Sequence, residues 1–204
     1  MKVFTQGGTD VTLTQSNFVA EGGEGRVHAV GATGYKIYHD PARAIAPAKI
    51  QELGAIQDPD VIRPLAPIFT ASRGQTTHVG HTFRFIPRTY VLCQLFPRAF
   101  RDREGLTADK VCHVVARLRS SMEAIHRAGV LVVDANEMNV LVARDFGATY
   151  WIDVDSYQTP HFAATAIMAS VRDPQVHGNV FTELSDWFSF AIITFQLFVG
   201  IHPF

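Results

Sequence analysis

The feature that most constrains the fold is a change of hydrophobic period partway along the chain. Residues 11–38 alternate between apolar and polar positions and are interrupted by glycines, which is typical of antiparallel strands joined by tight turns. From Thr107 onward the apolar residues recur at helical spacing instead. Because strands precede helices and a proline-bounded joint lies near Pro87, we expect an α+β fold of two lobes.

The strands of the first part can be placed from their glycine-rich boundaries. VTLTQSNFVA, RVHAV and YKIYH are expected to form three antiparallel strands. IFTAS and THVGHTFRFI flank Arg73-Gly74, which predicts a further hairpin with its turn at that dipeptide.

Three helices follow from apolar spacing and capping residues. A helix is expected at 47–56, where a proline occupies the first position. A long amphipathic helix should begin after an N-cap at Thr107 and stop at Gly129. The apolar run at 187–200 is too short to span a bilayer, so it predicts a buried helix that starts near Thr182 or Ser185.

Composition and charge exclude several classes of protein. A hydrophobic content of 47% is enough for a substantial core, and a net charge of -1 provides no general attraction to nucleic acid or to an anionic membrane. Cys93 and Cys112 lie in apolar stretches without metal-ligand spacing, which predicts two buried thiols. The N-terminal stretch lacks the apolar segment of a signal peptide. We therefore expect a soluble protein of a reducing compartment, the cytoplasm.

Residues 132–155 predict a site for a hard cation. Segments 140–142 and 149–154 have the pattern of a hairpin whose tip falls near Phe146, with Leu141 facing Trp151. This pairing would place Asn139 opposite Asp153, with Asp134 in the preceding loop. Carboxylate and carboxamide oxygens gathered at one end of a hairpin suit Mg²⁺.

The tripeptide Asp145-Phe146-Gly147 lies at the other end of the same hairpin. Although its letters match the metal-binding DFG motif of kinases, the hairpin would carry Asp145 about six residues along the strand from Asn139. We interpret the tripeptide as a turn in which Gly147 supplies the positive φ. Asp145 is therefore not expected to bind metal.

Several motifs together resemble the catalytic domain of protein kinases. The pattern D-x-x-x-x-N at 134–139, followed by a strand, a turn and a strand ending in Asp153, is similar to the kinase catalytic core. AEGGEGRV at 20–27 looks like the glycine-rich loop, and YKIY places Lys36 on the third strand. The helix that opens at Asp186 resembles the central kinase helix. DANEMNVLV followed by WIDVDSYQ is most similar to bacterial eukaryotic-like Ser/Thr kinases.

The resemblance implies a fold and an activity. The fold would be a two-lobed kinase-like domain, with an antiparallel-sheet N-lobe at 1–86 and a mostly helical C-lobe at 87–204. The activity would be ATP- and Mg²⁺-dependent phosphoryl transfer to a Ser or Thr hydroxyl. The acceptor would be a protein or a small molecule.

The resemblance also implies which residues hold the nucleotide. Lys36 would bind the α- and β-phosphates and pair with Glu52, the acidic residue of the 47–56 helix. The adenine would lie near the joint at 83–88. The remaining contacts would come from the glycine-rich loop and from two aromatic residues before the joint: Gly22, Gly23, Gly25, Val27, Phe83 and Phe85.

The catalytic residues implied by the resemblance lie in 134–153. Asp134 would orient the attacking hydroxyl, and Asn139 and Asp153 would hold Mg²⁺. Asn136 stands where kinases have a lysine, which leaves more of the charge neutralisation to Mg²⁺ and Lys36.

Roles for neighbouring acidic residues follow as well. Asp155 would cap the next turn or add a metal ligand, with the cap preferred. Asp186 would be a helix N-cap that also accepts hydrogen bonds from the backbone of the catalytic loop. His126 is expected to be a packed or capping histidine.

Two other functions remain open at this point. A nucleotide-binding pseudokinase is favoured by Ala20, Val133 and Asn136, which depart from the kinase pattern. The second alternative is a kinase for small molecules, or an enzyme that transfers AMP. Kinases usually continue beyond the position equivalent to Phe204, so we expect either a piece of a longer protein or a reduced substrate platform.

Overall fold

A computed structural model of the chain describes residues 1–8, 10–72 and 74–204. The chain divides into two compact units, the first made of Met1–Gly54 and Ile62–Ile86 and the second of Ala55–Val61 and Pro87–Phe204. Strands and helices are both present and the sheets are antiparallel, which confirms the predicted α+β class. Arg73, predicted to form a hairpin turn with Gly74, lies outside the described residues.

The first unit is built on an antiparallel sheet with the strand order β2-β1-β6-β7-β5-β4-β3. The strands are β1 (Lys2–Thr5), β2 (Asp10–Thr12), β3 (Phe18–Glu21), β4 (Gly25–Val30), β5 (Thr33–Tyr38), β6 (Pro64–Ser72) and β7 (Gln75–Arg84). Its core is a cluster of buried side chains: Val3, Leu13, Tyr35, Ile68 and Val79.

The prediction of one strand over VTLTQSNFVA was wrong. The segment is split into β2 and β3, which pair with different partners, β1 and β4. A short 3-10 turn at Gln15–Asn17 separates them, and the Asn17 Oδ1 accepts the backbone N–H of Thr14 at 3.2 Å. A side chain that accepts a nearby backbone N–H removes that donor from the hydrogen bonds between strands, so the strand ends there.

The other two hairpins of the first unit are confirmed. β4 pairs with β5, and β6 pairs with β7 up to Ser72 and Gln75, the residues on either side of the expected turn. Helix α1 (Pro47–Leu53) starts at the predicted proline but ends three residues earlier than expected. It packs on β6 and buries Ile50 and Leu53.

The second unit combines a small sheet with three helices. Its elements are β8 (Thr89–Val91), α2 (Arg98–Glu104), α3 (Ala108–Arg127), β9 (Val140–Ala143), β10 (Thr149–Trp151) and α4 (Glu183–Val199). The sheet order is β10-β9-β8, and α3 packs against both β10 and α4. Neither β8 nor α2 was expected from the sequence.

The predicted helix boundaries of the second unit are confirmed. The Thr107 hydroxyl accepts the backbone N–H of Lys110, and Gly129 follows the helix with a φ of 72°. The Thr182 hydroxyl caps α4 by accepting the N–H of Ser185.

Helix α2 is tied to the end of α4 by one arginine. Arg101 donates from Nη2 to the carbonyl of Leu197 at 2.6 Å, and from Nε to the carbonyl of Leu95 at 2.7 Å. The last carbonyls of a helix have no partner within the helix, so a guanidinium is a suitable donor for them.

Burial differs from the expectation at two places. Helix α4 is not buried all round, since four of its apolar residues are exposed: Leu184, Phe195, Phe198 and Val199. Cys112 is an exposed free thiol on α3 and Cys93 is half-buried, so the prediction of two buried thiols was wrong. In the part of the chain that the structure describes, no helix has both the length and the apolar character needed to cross a membrane.

Candidate nucleotide-binding and catalytic residues

The glycine-rich segment forms a closed turn between β3 and β4. The Gly22 N–H donates to the carbonyl of Gly25 at 2.9 Å. Gly25 is buried, and a Cβ there would lie 2.2 Å from the carbonyl oxygen of Ile37 on the adjacent strand, so no other residue fits. A Cβ at Gly22 or Gly23 would meet no described atom within 4 Å.

Lys36 lies on β5 directly opposite Val27 of β4. The lysine is only 8% exposed, and its Nζ is 3.2 Å from a carboxylate oxygen of Glu24, in the turn that joins β3 and β4. The same Nζ lies 5.3 Å from the centre of the Tyr38 ring. A buried ammonium requires such compensation, because desolvation of a charge without a partner is costly.

Glu24 was missed as a functional residue by the sequence analysis. It lies between Gly23 and Gly25, and no role was assigned to it. The signal that could have found it is the strand pairing, since the turn that precedes β4 lies beside the last residues of the antiparallel strand β5.

The other residues expected to bind nucleotide also lie in the first unit. Glu52 is half-buried near the end of α1. Phe83 is paired with Gly34, and its ring would lie 2.3 Å from a Cβ at that glycine, so Gly34 is what makes room for the ring. The backbone N–H of Phe85 donates to the carbonyl of Ala32 at 2.9 Å.

The loop before β9 is held by hydrogen bonds from its backbone to Asp186. Its two carboxylate oxygens accept the backbone N–H groups of Val132 and Val133, each at 2.8 Å. His126 Nε2 lies 2.8 Å from the same carboxylate. Val133 adopts a φ of 62°, a conformation that β-branched residues rarely adopt. These contacts confirm the expected bonds from Asp186 to the loop backbone and explain how the strained loop is held. The expectation that Asp186 is the helix N-cap was wrong, because Thr182 caps α4 and Asp186 lies within its first turn.

Asp134 and Asn139 are brought together by this loop. The Asn139 Nδ2 donates to one carboxylate oxygen of Asp134 at 3.1 Å. The other carboxylate oxygen accepts the backbone N–H of Met168 at 2.7 Å. Asp134 is buried, with 7% exposure. The sequence carries no signal for the Met168 contact, because any residue except proline supplies the same backbone donor.

Asn136 serves the conformation of its own loop. It is 1% exposed, its Oδ1 accepts the Met138 N–H at 2.8 Å, and its Nδ2 donates to the carbonyl of Asp134 at 3.3 Å. A carboxamide between two backbone groups stabilises a tight loop.

The hairpin that follows was predicted correctly, but its register differs by one residue. Trp151 pairs with Val140 and not with Leu141, and the Ile152 N–H donates to the carbonyl of Asn139 at 3.0 Å. Asn139 therefore lies opposite Ile152, and Asp153 follows one residue later.

Two carboxylates are close together after β10. Asp153 has a φ of 58° and opens a short 3-10 turn at Val154–Ser156. Carboxylate oxygens of Asp153 and Asp155 lie within 4.8 Å of each other, and Asp155 is 3% exposed. Carboxylate oxygens at this spacing are donors that suit a hard divalent cation.

The DFG tripeptide is a turn, as predicted. Asp145 is exposed, and its Oδ1 accepts the N–H of Gly147 at 2.9 Å. The positive φ was assigned to the wrong residue, since it belongs to Phe146 at 61° and not to Gly147. The Phe146 ring is buried, 6.1 Å from the Tyr90 ring and beneath the ammonium of Lys110. Packing of the ring fixes the turn in this conformation.

Tyr157 is fully buried near the acidic residues of the second unit. Burial raises the pKa of its phenol well above the usual range, and the carboxylates of Asp186, Asp153, Asp134 and Asp155 raise this pKa further. Among the residues that the structure describes, its hydroxyl has no hydrogen-bond partner.

The fold is of the α+β class, and comparison with known proteins suggests a kinase-like relationship. The chain is similar to Protein kinase YegI of Escherichia coli strain K12, with 28% identity over an alignment of 222 positions that covers 100% of this chain and 34% of that protein. Protein kinase YegI of Escherichia coli O157:H7 is 26% identical over an alignment of 214 positions, which covers 96% of this chain and 33% of the relative. No family model matches the chain.

The chain thus spans about a third of the length of the curated relatives that it matches. Both relatives are named protein kinases.

Proposed function

We propose that the chain transfers the γ-phosphate of ATP to the hydroxyl of a Ser or Thr residue, with Mg²⁺ as the cofactor. Residues 1–86 would act as the N-lobe and 87–204 as the mostly helical C-lobe of a kinase-like domain. The observation that carries the proposal is the buried Asp134, which is oriented by Asn139 on a loop fixed by Asp186. The free thiols at Cys93 and Cys112 are consistent with work in the reducing cytoplasm.

The phosphates would be bound by the turn at 22–25 and by Lys36. Packing within the first unit does not require a glycine at 22 or 23, whereas close approach of phosphate oxygens to the backbone does. Lys36 would provide the charge, with Glu52 as a further partner. Val27, Phe83 and Phe85 would contact the adenosine.

Mg²⁺ would be held by Asn139 and Asp153, with Asp155 as an additional carboxylate. The neighbouring carboxylate oxygens of Asp153 and Asp155 support the assignment. When bound, the cation neutralises charge on the phosphates.

The chain's own catalytic step would be performed by Asp134. Its carboxylate would accept a hydrogen bond from the acceptor hydroxyl and so orient the oxygen toward the γ-phosphorus. As the oxygen–phosphorus bond forms and the bond to the β-phosphate breaks, the hydroxyl proton would pass to Asp134. One carboxylate oxygen of Asp134 now accepts the backbone N–H of Met168. The acceptor hydroxyl would take the place of that N–H.

The test is transfer of label from ATP. Asp134→Asn keeps the shape of the side chain but removes the basic oxygen, so it should retain nucleotide binding and lose transfer by at least about a hundredfold. The wild-type protein and the variant are incubated with ATP labelled at the α- or the γ-phosphate. Label from the γ-position alone supports a kinase, whereas label from the α-position would mean AMP transfer. Equal rates for both proteins would exclude Asp134 as the base.

A pseudokinase is the second candidate function. It is favoured by the engagement of both Asp134 carboxylate oxygens and by the loop-bound Asn136 in place of a lysine. This function predicts Mg²⁺-ATP binding that depends on Lys36, with no transfer of either label.

A further inference from the structure

Glu24, in the turn at 22–25, supplies a carboxylate that pairs with Lys36. Glu24 is held in place by its backbone, because its carbonyl accepts the N–H of His39 at 2.9 Å and the turn is closed by the Gly22–Gly25 bond. The side chain of Glu24 is 28% exposed and that of Lys36 is 10% exposed. The carboxylate is therefore the more exposed member of a largely buried ion pair.

This position is the one from which a phosphate would approach. A phosphate that binds Lys36 through the glycine turn would lie beside the Glu24 carboxylate, because an ammonium has three N–H donors and can bind both anions. The carboxylate is tethered to the turn and would stay close to the phosphates. Its repulsion acts across a partly desolvated space, where charges are screened less than in water.

We propose that Glu24 makes the site select ATP complexed with a divalent cation over metal-free ATP. The inference rests on the proposed function of Lys36 and the glycine turn. A divalent cation cancels part of the phosphate charge and so reduces the repulsion from Glu24, whereas metal-free ATP meets the full repulsion. Glu24 is thus a specificity-determining residue for the ionic form of the nucleotide.

The neighbouring Glu21 provides a matched control. It lies in the same region of the sheet, but its carboxylate pairs with Arg26 at 3.0 Å and lies 3.5 Å from His39, so it does not compete for Lys36 through any contact described here. Glu21→Gln removes the same charge as Glu24→Gln and leaves the Lys36–Glu24 pair in place.

The experiment measures the dissociation constant of ATP by titration calorimetry, in excess Mg²⁺ and in EDTA, for the wild-type protein, Glu24→Gln, Glu21→Gln and Lys36→Met. The dissociation constant in EDTA is divided by the dissociation constant in excess Mg²⁺. This ratio should fall by about tenfold in Glu24→Gln, mainly because metal-free ATP binds more tightly. It should be unchanged in Glu21→Gln. Circular dichroism verifies that each variant is folded.

Two results would overturn the proposal. An unchanged ratio in Glu24→Gln, with Lys36-dependent binding in the wild-type protein, would refute the role of Glu24 alone and leave the proposed function intact. Weaker binding of Mg²⁺-ATP in Glu24→Gln would also refute it, because Glu24 would then assist the metal complex. If the wild-type protein binds ATP under neither condition, the proposed function fails and the inference fails with it.

Discussion

Two aspartates at opposite ends of the β9–β10 hairpin lie in different chemical surroundings. Asp145 is exposed at the tip, where its carboxylate bonds the N–H of Gly147. Asp153 follows β10 and lies next to the buried Asp155. The side chain at the tip shapes a turn, whereas the side chain after β10 belongs to a set of oxygen donors.

This difference predicts opposite effects of two alanine substitutions. Asp145→Ala should change the free energy of unfolding by no more than about 0.5 kcal/mol and leave phosphoryl transfer intact, because it alters an exposed turn. Asp153→Ala should abolish transfer and its Mg²⁺ dependence while the fold survives. Transfer assays and thermal melts of both variants measure this. Loss of activity in Asp145→Ala with an active Asp153→Ala would mean that the literal motif binds the metal.

Tyr157 predicts a pH dependence of stability. Its folded-state pKa is raised, mainly by burial, so above about pH 10 the unfolded chain releases this proton while the folded chain still holds it. Stability should therefore fall as the pH rises above 10, and Tyr157→Phe should remove this part of the loss. At pH 7 the variant should be at least as stable as the parent, because it no longer buries a hydroxyl without a described partner.

Urea unfolding of both proteins at pH 7, 10 and 11 measures the difference. If the free energy of unfolding of Tyr157→Phe exceeds that of the parent by an amount that increases with pH, the raised pKa of the phenol is supported. If the free energies of unfolding of the two proteins decrease equally with pH, the phenol ionises in the folded protein as it does in the unfolded chain.

At the scale of elements, α2 and α4 are joined by Arg101. The guanidinium donates to Leu197 near the end of α4 and to Leu95 just before α2, so it fixes both segments together. The short α2 was not expected from the sequence, and these hydrogen bonds are part of what holds it. Helices of this length depend on tertiary contacts because they are marginal in isolation.

Arg101→Lys should destabilise the protein by about 2 kcal/mol, because an ammonium cannot reproduce the fork of bonds to separate carbonyls. The matched control is Arg98→Lys in the same helix, whose side chain is 93% exposed and lies 3.7 Å from Asp102. The control should change stability by less than about 0.5 kcal/mol. Chemical denaturation measures both variants, and equal losses would show that the Arg101 bonds do not stabilise the α2–α4 contact.

At the scale of the whole molecule, the proposed function predicts that nucleotide stabilises the fold. Mg²⁺-ATP at a hundredfold over its dissociation constant should add about 2.7 kcal/mol to the free energy of unfolding. Thermal melts with and without millimolar Mg²⁺-ATP measure the shift. Lys36→Met should reduce it, because the variant lacks the charge expected to bind the phosphates. A melting temperature that does not respond to Mg²⁺-ATP in the wild-type protein would count against nucleotide binding.

The sequence by itself determined the features that depend on local pattern. The α+β class follows from the change of hydrophobic period, and the caps at Thr107 and Thr182 follow from side chains that satisfy the nearest backbone N–H groups. The β9–β10 hairpin follows from two apolar segments around a turn. Each of these signals involves residues close together in the chain, so it can be read without knowing the fold.

Only the tertiary structure decided which groups meet over long distances in the sequence. The contact of Asp134 with the Met168 backbone and the pairing of Lys36 with Glu24 depend on how distant segments come together. A backbone N–H is common to every residue except proline, so the sequence does not indicate which one Asp134 binds. The sequence likewise does not indicate whether the carboxylate of Glu24 is exposed to water or paired with a lysine. The one-residue shift at Trp151 has a similar origin, because an alternating pattern fixes the face of each side chain but the neighbouring strand fixes the register.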